Sequence, residues 1–160
     1  MYAEEARKKF WNTLRETLKE MGEPFFFTEN KQWAIINKRT SNYHEPCVAL
    51  DFLWRNKFLR INVYIENDIP LYNKLKTRKE EIESELDFNY LESELGYNCF
   101  WKENNSFTNG GKKKFNGENT RRIEVDIPFD NEALNFKDLA IKAIPIIERY
   151  VEVFRGFIDC

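Results

Sequence analysis

An α+β fold is what this sequence predicts. The expected architecture is a mixed or antiparallel sheet of about five strands packed by three helices, in the order αβββαββα, as one domain over residues 1–160. Three observations predict it. Apolar residues recur at three- and four-residue steps near both ends of the chain and once in its middle. Between those stretches, short runs alternate apolar and polar residues with period two. Breaks rich in Gly, Pro and Asn separate the runs.

Residues 3–21 read as an amphipathic helix, with Phe10, Leu14, Leu18 and Met21 along one stripe and Gly22-Glu23-Pro24 as its stop. Phe25-Phe26-Phe27 suits a short extended stretch under that helix. Residues 33–37 form a short strand, and the polar run Lys38 to Glu45 connects it onward. Strands follow at 46–54 and 57–66. In the first, Val48, Leu50, Phe52 and Trp54 alternate with Cys47, Ala49, Asp51 and Leu53; in the second, Leu59, Ile61, Val63 and Ile65 alternate with Arg60, Asn62, Tyr64 and Glu66. This is the pattern of a half-buried antiparallel pair with one wetter face, turned at Arg55-Asn56. A helix over 69–86 is predicted by the Asp68 cap, Pro70 in the first turn, and the stripe Leu71, Leu75, Ile82 and Leu86. Strands at 96–102 and 120–128 come next, the second alternating Ile123, Val125 and Ile127 with Glu124 and Asp126. Glu103 to Asn119, between them, is rich in Asn, Gly and Lys and reads as a mobile exposed loop. The last helix, 136–157, starts from the Asn135 cap and carries Leu139, Ala143, Ile144, Ile147, Val151 and Phe154; Pro145 should kink it or mark its true start.

Hydrophobic residues at 42% and charged residues at 32% describe a chain that buries a core. The 14 Phe and 4 Trp read chiefly as core. A net charge of −2 excludes a global pull toward nucleic acid or anionic membranes, though not a local basic patch. Cys47, Cys99 and Cys160 are widely spaced and form no CxxC pair, so reduced buried thiols are expected, with Cys160 exposed and no zinc ribbon. Met1 to Lys9 lacks the apolar region of a signal peptide, and no apolar run approaches the roughly 18 residues of a spanning helix. The expectation is a cytoplasmic protein with no membrane partner and no cofactor.

No set of residues spells a catalytic or metal centre. A restriction-type nuclease needs Asp on one strand and Glu-x-Lys on the next. Asp51 lies on a suitable strand, but the next offers Asn62, Tyr64 and Glu66, while Glu29-Asn30-Lys31 comes too early. Asp51 therefore reads as a solvent-facing or Arg60-paired carboxylate. His44, the only histidine, reads as solvated or locally hydrogen-bonded rather than as a base for Cys47. Asn109-Gly110-Gly111-Lys112 lacks the spacing of a phosphate loop. What remains is basic: Lys112, Lys113, Lys114 and Phe115, together with Arg121 and Arg122. Cations neutralise phosphates and an aromatic ring stacks on a base, so these six are the candidate nucleic-acid-binding set; ordinary solvated lysines are the plainer reading. Trp54, Tyr64 and Trp101 read as core, or as a partner surface if exposed together.

Several stretches form a recognisable series: Phe10-Trp11 with Leu14-Arg15-Glu16, Val48 to Glu66, Lys79 to Leu86, Arg121-Arg122-Ile123-Glu124-Val125, and Ile147 to Ile158. Over nearly the whole chain they resemble the prokaryotic domain of unknown function 4268. The resemblance implies a link to DNA restriction or defence, because such domains often follow a nuclease-like region, and it brings no catalytic residue. The long stretch Asn104 to Asn119 departs from it. The expectation is a non-catalytic interaction module binding nucleic acid or a protein partner. The alternatives are a degenerate or unconventional nuclease domain and a homo-oligomerisation module, such as a homodimer.

Overall fold

The computed structural model describes residues 1–38, 40, 42–103, 107–109, 112–115 and 119–158. Helix α1 (Ala3–Glu20) buries Phe10, Trp11, Leu14 and Leu18 along one face, with Glu4 and Glu5 complementing the dipole of its first turn. Met21 drops out of the expected stripe: it is the C-cap and 48% exposed.

The sheet is antiparallel and has six strands, in the order β1 (Phe27–Asn30), β2 (Trp33–Ile36), β3 (Cys47–Leu53), β4 (Phe58–Glu66), β8 (Thr120–Pro128) and β5 (Asn98–Glu103). The unforeseen strand is β1. Lys31 takes a positive φ of 38°, so Lys31-Gln32 turns the chain and sets Phe27 opposite Ile36. The stretch expected to be loop holds two further strands, β6 (Phe107–Asn109) and β7 (Lys112–Phe115), which pair with each other in a separate two-stranded sheet. The β3–β4 turn falls at the expected place; Lys57, at φ 64°, donates its N–H to Leu53 O over 2.9 Å.

The predicted helix 69–86 is broken into α2 (Ile69–Lys76) and α3 (Lys79–Glu85), followed by α4 (Phe88–Ser93). The cause is visible in the stripe: Leu75 and Ile82 are both buried, but only charged residues and Thr77 lie between them. Nothing there holds a continuous apolar face, and Arg78 leaves the helical region at φ −113°, ψ 25°. Asp87 then turns the chain in the left-handed region, at φ 57°, to bury Phe88 and Leu91. Helix α5 (Phe136–Phe154) runs on through Pro145, which therefore does not mark its start. The carbonyl deprived of a donor belongs to Ile141, which is 46% exposed, so water can take that place.

The helices pack on one face of the sheet. Val48, Leu50 and Phe52 of β3, Leu59, Ile61, Val63 and Ile65 of β4, and Ile123, Val125 and Ile127 of β8 form one cluster with the buried residues of all five helices. Each such side chain contributes about 1.5–3 kcal/mol on burial. Phe52 sits at the aromatic centre, stacked on Phe10 at 4.8 Å and Phe129 at 5.4 Å. No helix among the described residues is long and apolar enough to cross a membrane.

Candidate functional site

The alternate positions of the same strands make the second face. Antiparallel register aligns them in rows: Asp51, Arg60 and Asp126 in one, Ala49, Asn62 and Glu124 in the next, Cys47, Tyr64, Arg122 and Lys102 in a third. The sequence pattern predicts this face to be the wetter one. Instead Asn62 and Glu124 are wholly buried, and Arg122, Asp51, Asp126 and Arg60 are 4%, 5%, 6% and 7% exposed. Buried charge is tolerated only when paired, and the register provides the pairing.

Arg60 stands at the centre. Its Nε donates to Glu124 Oε2 at 2.8 Å and lies 3.5 Å from Asp126 Oδ1, and its Nη1 is 3.8 Å from Asp51 Oδ2. Lys102 Nζ approaches Glu124 Oε1 to 3.6 Å. Asn62 Nδ2 donates to Asp51 Oδ2 and to Ala49 O. Burial works against the Arg60 charge, but Glu124, Asp51 and Asp126 outweigh it and hold the guanidinium more firmly protonated than usual. Burial pushes the Asp51 carboxyl up, against the pull of Arg60 and Arg122.

Beside this network runs a stack. Trp33 lies on Tyr43 at 4.4 Å, Tyr43 on Tyr64 at 4.2 Å, and the Arg122 guanidinium over Tyr64 at 5.4 Å. Tyr43 belongs to the loop between β2 and β3, and its hydroxyl donates to Asp51 Oδ1 at 3.2 Å. Wedged between two rings and tied to a carboxylate, it straps that loop to the sheet. Next to it, His44 is 78% exposed, in keeping with a solvated histidine, and pairs through Nδ1 with the Glu66 carboxylate at the end of β4 rather than with a residue of its own loop.

The expected Arg60 partnership of Asp51 is present, and the carboxylate is buried rather than solvent-facing. Glu29 and Asp51 cannot converge. Glu29 aligns with Ala34 and Leu50, on the helix-covered face, and its carboxylate binds Arg15 at 2.8 Å. Among the described residues no group of three or more His, Cys, Asp or Glu can hold a metal ion. Tyr64 is buried, and Trp54 and Trp101 pack partly buried against the core, so the three form no common exposed patch. Cys47 is buried in the second face; Cys99 is half-buried, its thiol pushed up to about 12 by burial and by Glu92, Asp126 and Glu83; Cys160 lies outside the described residues.

The six basic-set residues divide. Lys112, Lys113, Lys114 and Phe115 make up β7. Arg121 and Arg122 open β8 and are turned inward, 9% and 4% exposed: Arg121 lies over the Tyr72 ring and donates to Thr120 O, and Arg122 lies over Tyr64. The sequence reading missed the Arg60 cluster. Its signal was present, since polar or charged residues recur at every second position of two long strands, but strand alternation alone reads such positions as solvent-facing. Tyr43, in a polar loop, had no signal. No family model, curated protein or solved structure matches this chain.

Proposed function

We propose that the chain is a non-catalytic interaction module that binds nucleic acid through its β6–β7 ribbon, in the prokaryotic restriction or defence setting implied by its resemblance to the domain of unknown function 4268. One observation carries the non-catalytic part. Three carboxylates of the second face, Glu124, Asp126 and Asp51, are gathered around the Arg60 guanidinium, at 2.8, 3.5 and 3.8 Å, where a hydrolytic centre would need a divalent cation. The ribbon supports the ligand: three consecutive lysines and Phe115 lie in one strand of a hairpin outside the main sheet's hydrogen bonding, and two-stranded ribbons fit the DNA major groove.

Fluorescence anisotropy with labelled single- and double-stranded DNA and RNA, at low and physiological salt, tests this reading. Binding should weaken with salt. Replacing Lys112, Lys113 and Lys114 together by Ala should lower the slope of log affinity against log salt by about 2–3, one unit or slightly less per lost phosphate contact. Absence of binding at low salt would overturn the nucleic-acid reading and leave a protein partner. Self-association is favoured by a separate observation: among the described residues no further strand pairs with β1 or β5 at the two ends of the sheet, and Phe100 on β5 is 40% exposed. Analytical ultracentrifugation at micromolar concentration would show a dimer if those edges pair.

A further inference from the structure

Glu124 and Asp126 lie two residues apart on β8, with both side chains on the same face of the strand. Both carboxylates reach one nitrogen, Arg60 Nε, and only Glu124 is within normal donor distance of it. Each carboxylate keeps one buried oxygen, Glu124 Oε1 and Asp126 Oδ1, with no hydrogen-bond partner. Lys102, 3.6 Å from Glu124 Oε1, falls short of a hydrogen bond. Two adjacent buried carboxylates, each with an oxygen lacking a donor, are one proton short. A carboxyl proton supplies the missing donor and removes the repulsion between like charges.

We infer that Glu124 and Asp126 hold one proton between them at neutral pH, donated from Asp126 to Glu124, and that this shared proton makes the second face of the sheet a pH-sensitive joint. The charged and titratable groups around the pair come from every described neighbour. They are Asp51 on β3, Arg60 on β4, Lys102 on β5 and Arg122 on β8 itself, with Tyr43 reaching the group through Asp51. Cys99 of β5 and Tyr150 of α5 feel the pair's charge from the helix-covered side. Burial, then the hydrogen bond with Glu124 and its charge, push Asp126 up to about 8. Glu124 is held below its usual range, because the hydrogen bond from Asp126 and the Arg60 charge outweigh its burial.

The sign of the effect follows. The folded state keeps a proton that the unfolded chain releases near the ordinary carboxyl range, so the contribution is fully present below roughly pH 4 and is lost as pH rises to about 8. Glu124, shifted the other way, changes stability only at the acid end. As the proton leaves, Arg60 is drawn toward two carboxylates, and Asp51, its most distant partner at 3.8 Å, loses most. The Tyr43 strap hangs on Asp51.

Carbon-13 carboxyl titration of the full chain by NMR tests this directly. One carboxyl should titrate with a midpoint near 8, and that signal should vanish in Asp126→Asn, whose amide N–H replaces the donated proton. The unfolding equilibrium constant of the wild type should rise about tenfold per pH unit between roughly pH 5 and 8 from this group, and Asp126→Asn should flatten that dependence. Backbone amides of 42–45 should exchange faster relative to intrinsic rates above pH 8 in the wild type only. All aspartates and glutamates titrating below pH 5 in the folded wild type would overturn the inference, whether or not the variant folds. An unchanged stability slope in a folded Asp126→Asn would do the same.

Discussion

Replacing Arg60 by Met should destabilise the protein by about 3 kcal/mol at pH 7, and less in acid. The side chain is the counter-charge of Glu124 and Asp51 and also lies against the protonated Asp126, all three at most 6% exposed. Breaking a buried pair by removing one partner costs about 3–5 kcal/mol, because the remaining charge is stranded. Two features place the expectation at the low end. Lys102 still stands 3.6 Å from Glu124 Oε1, and Asp51, already pushed up by burial, can take a proton in place of the lost guanidinium. Each proton taken up costs about 1.4 kcal/mol per pH unit between the ambient pH and the pKa of the carboxyl. Acidification from pH 7 to pH 5 should therefore recover a kilocalorie or more of the loss. Urea unfolding followed by circular dichroism at both pH values measures it, with an unchanged m-value confirming that stability alone has moved. A cost under about 0.5 kcal/mol at pH 7 would refute the reasoning, because surface changes fall in that range. So would equal costs at the two pH values. Pairing Arg60→Met with Glu124→Leu should recover part of the loss, since apolar replacements of a buried pair are often neutral.

Two smaller changes probe single links. Tyr43→Phe keeps the ring between Trp33 and Tyr64 but removes the donor to Asp51, and should cost about 1 kcal/mol in urea unfolding; Tyr43→Ala should in addition speed amide exchange at 42–45. Asn135→Ala removes the side-chain oxygen that accepts from the Asp138 N–H at 2.9 Å, and should lower stability by about 1 kcal/mol at any pH between 5 and 8.

The layering of this fold was legible because period-two and helical patterns are direct consequences of one-sided burial. Val48 to Phe52, Leu59 to Ile65 and Ile123 to Ile127 declared their faces, and the structure packs all of them under the helices. Elements that depend on backbone geometry were harder to read. Strand β1 exists because Lys31 adopts a positive φ, a conformation ordinarily signalled by Gly or Asn. The break at Arg78 follows from the lack of an apolar residue across the six positions between Leu75 and Ile82, in a stretch whose local propensity is otherwise good. The second face was misread for a different reason. Arg60, Asn62, Glu124 and Asp126 look like solvent-facing residues until strand order is known, since β4 and β8 are far apart in sequence and their pairing alone sets Arg60 opposite Asp126.

That pairing also divides the basic residues into two kinds. Arg121 and Arg122 sit beside Lys112, Lys113 and Lys114 in sequence, and charge counting alone treats the five as one patch. Strand β8 ends that equivalence by inserting its arginines into the main sheet's contacts, where Arg122 closes the Trp33–Tyr43–Tyr64 stack and Arg121 covers Tyr72. Moving either guanidinium out to a phosphate would abandon a ring contact worth about 0.5–2 kcal/mol. Alanine in place of Arg122 should therefore read mainly as lost stability, and alanine in place of Lys112, Lys113 and Lys114 mainly as lost salt-dependent binding. The two readouts separate what holds the sheet together from the proposed contact with nucleic acid.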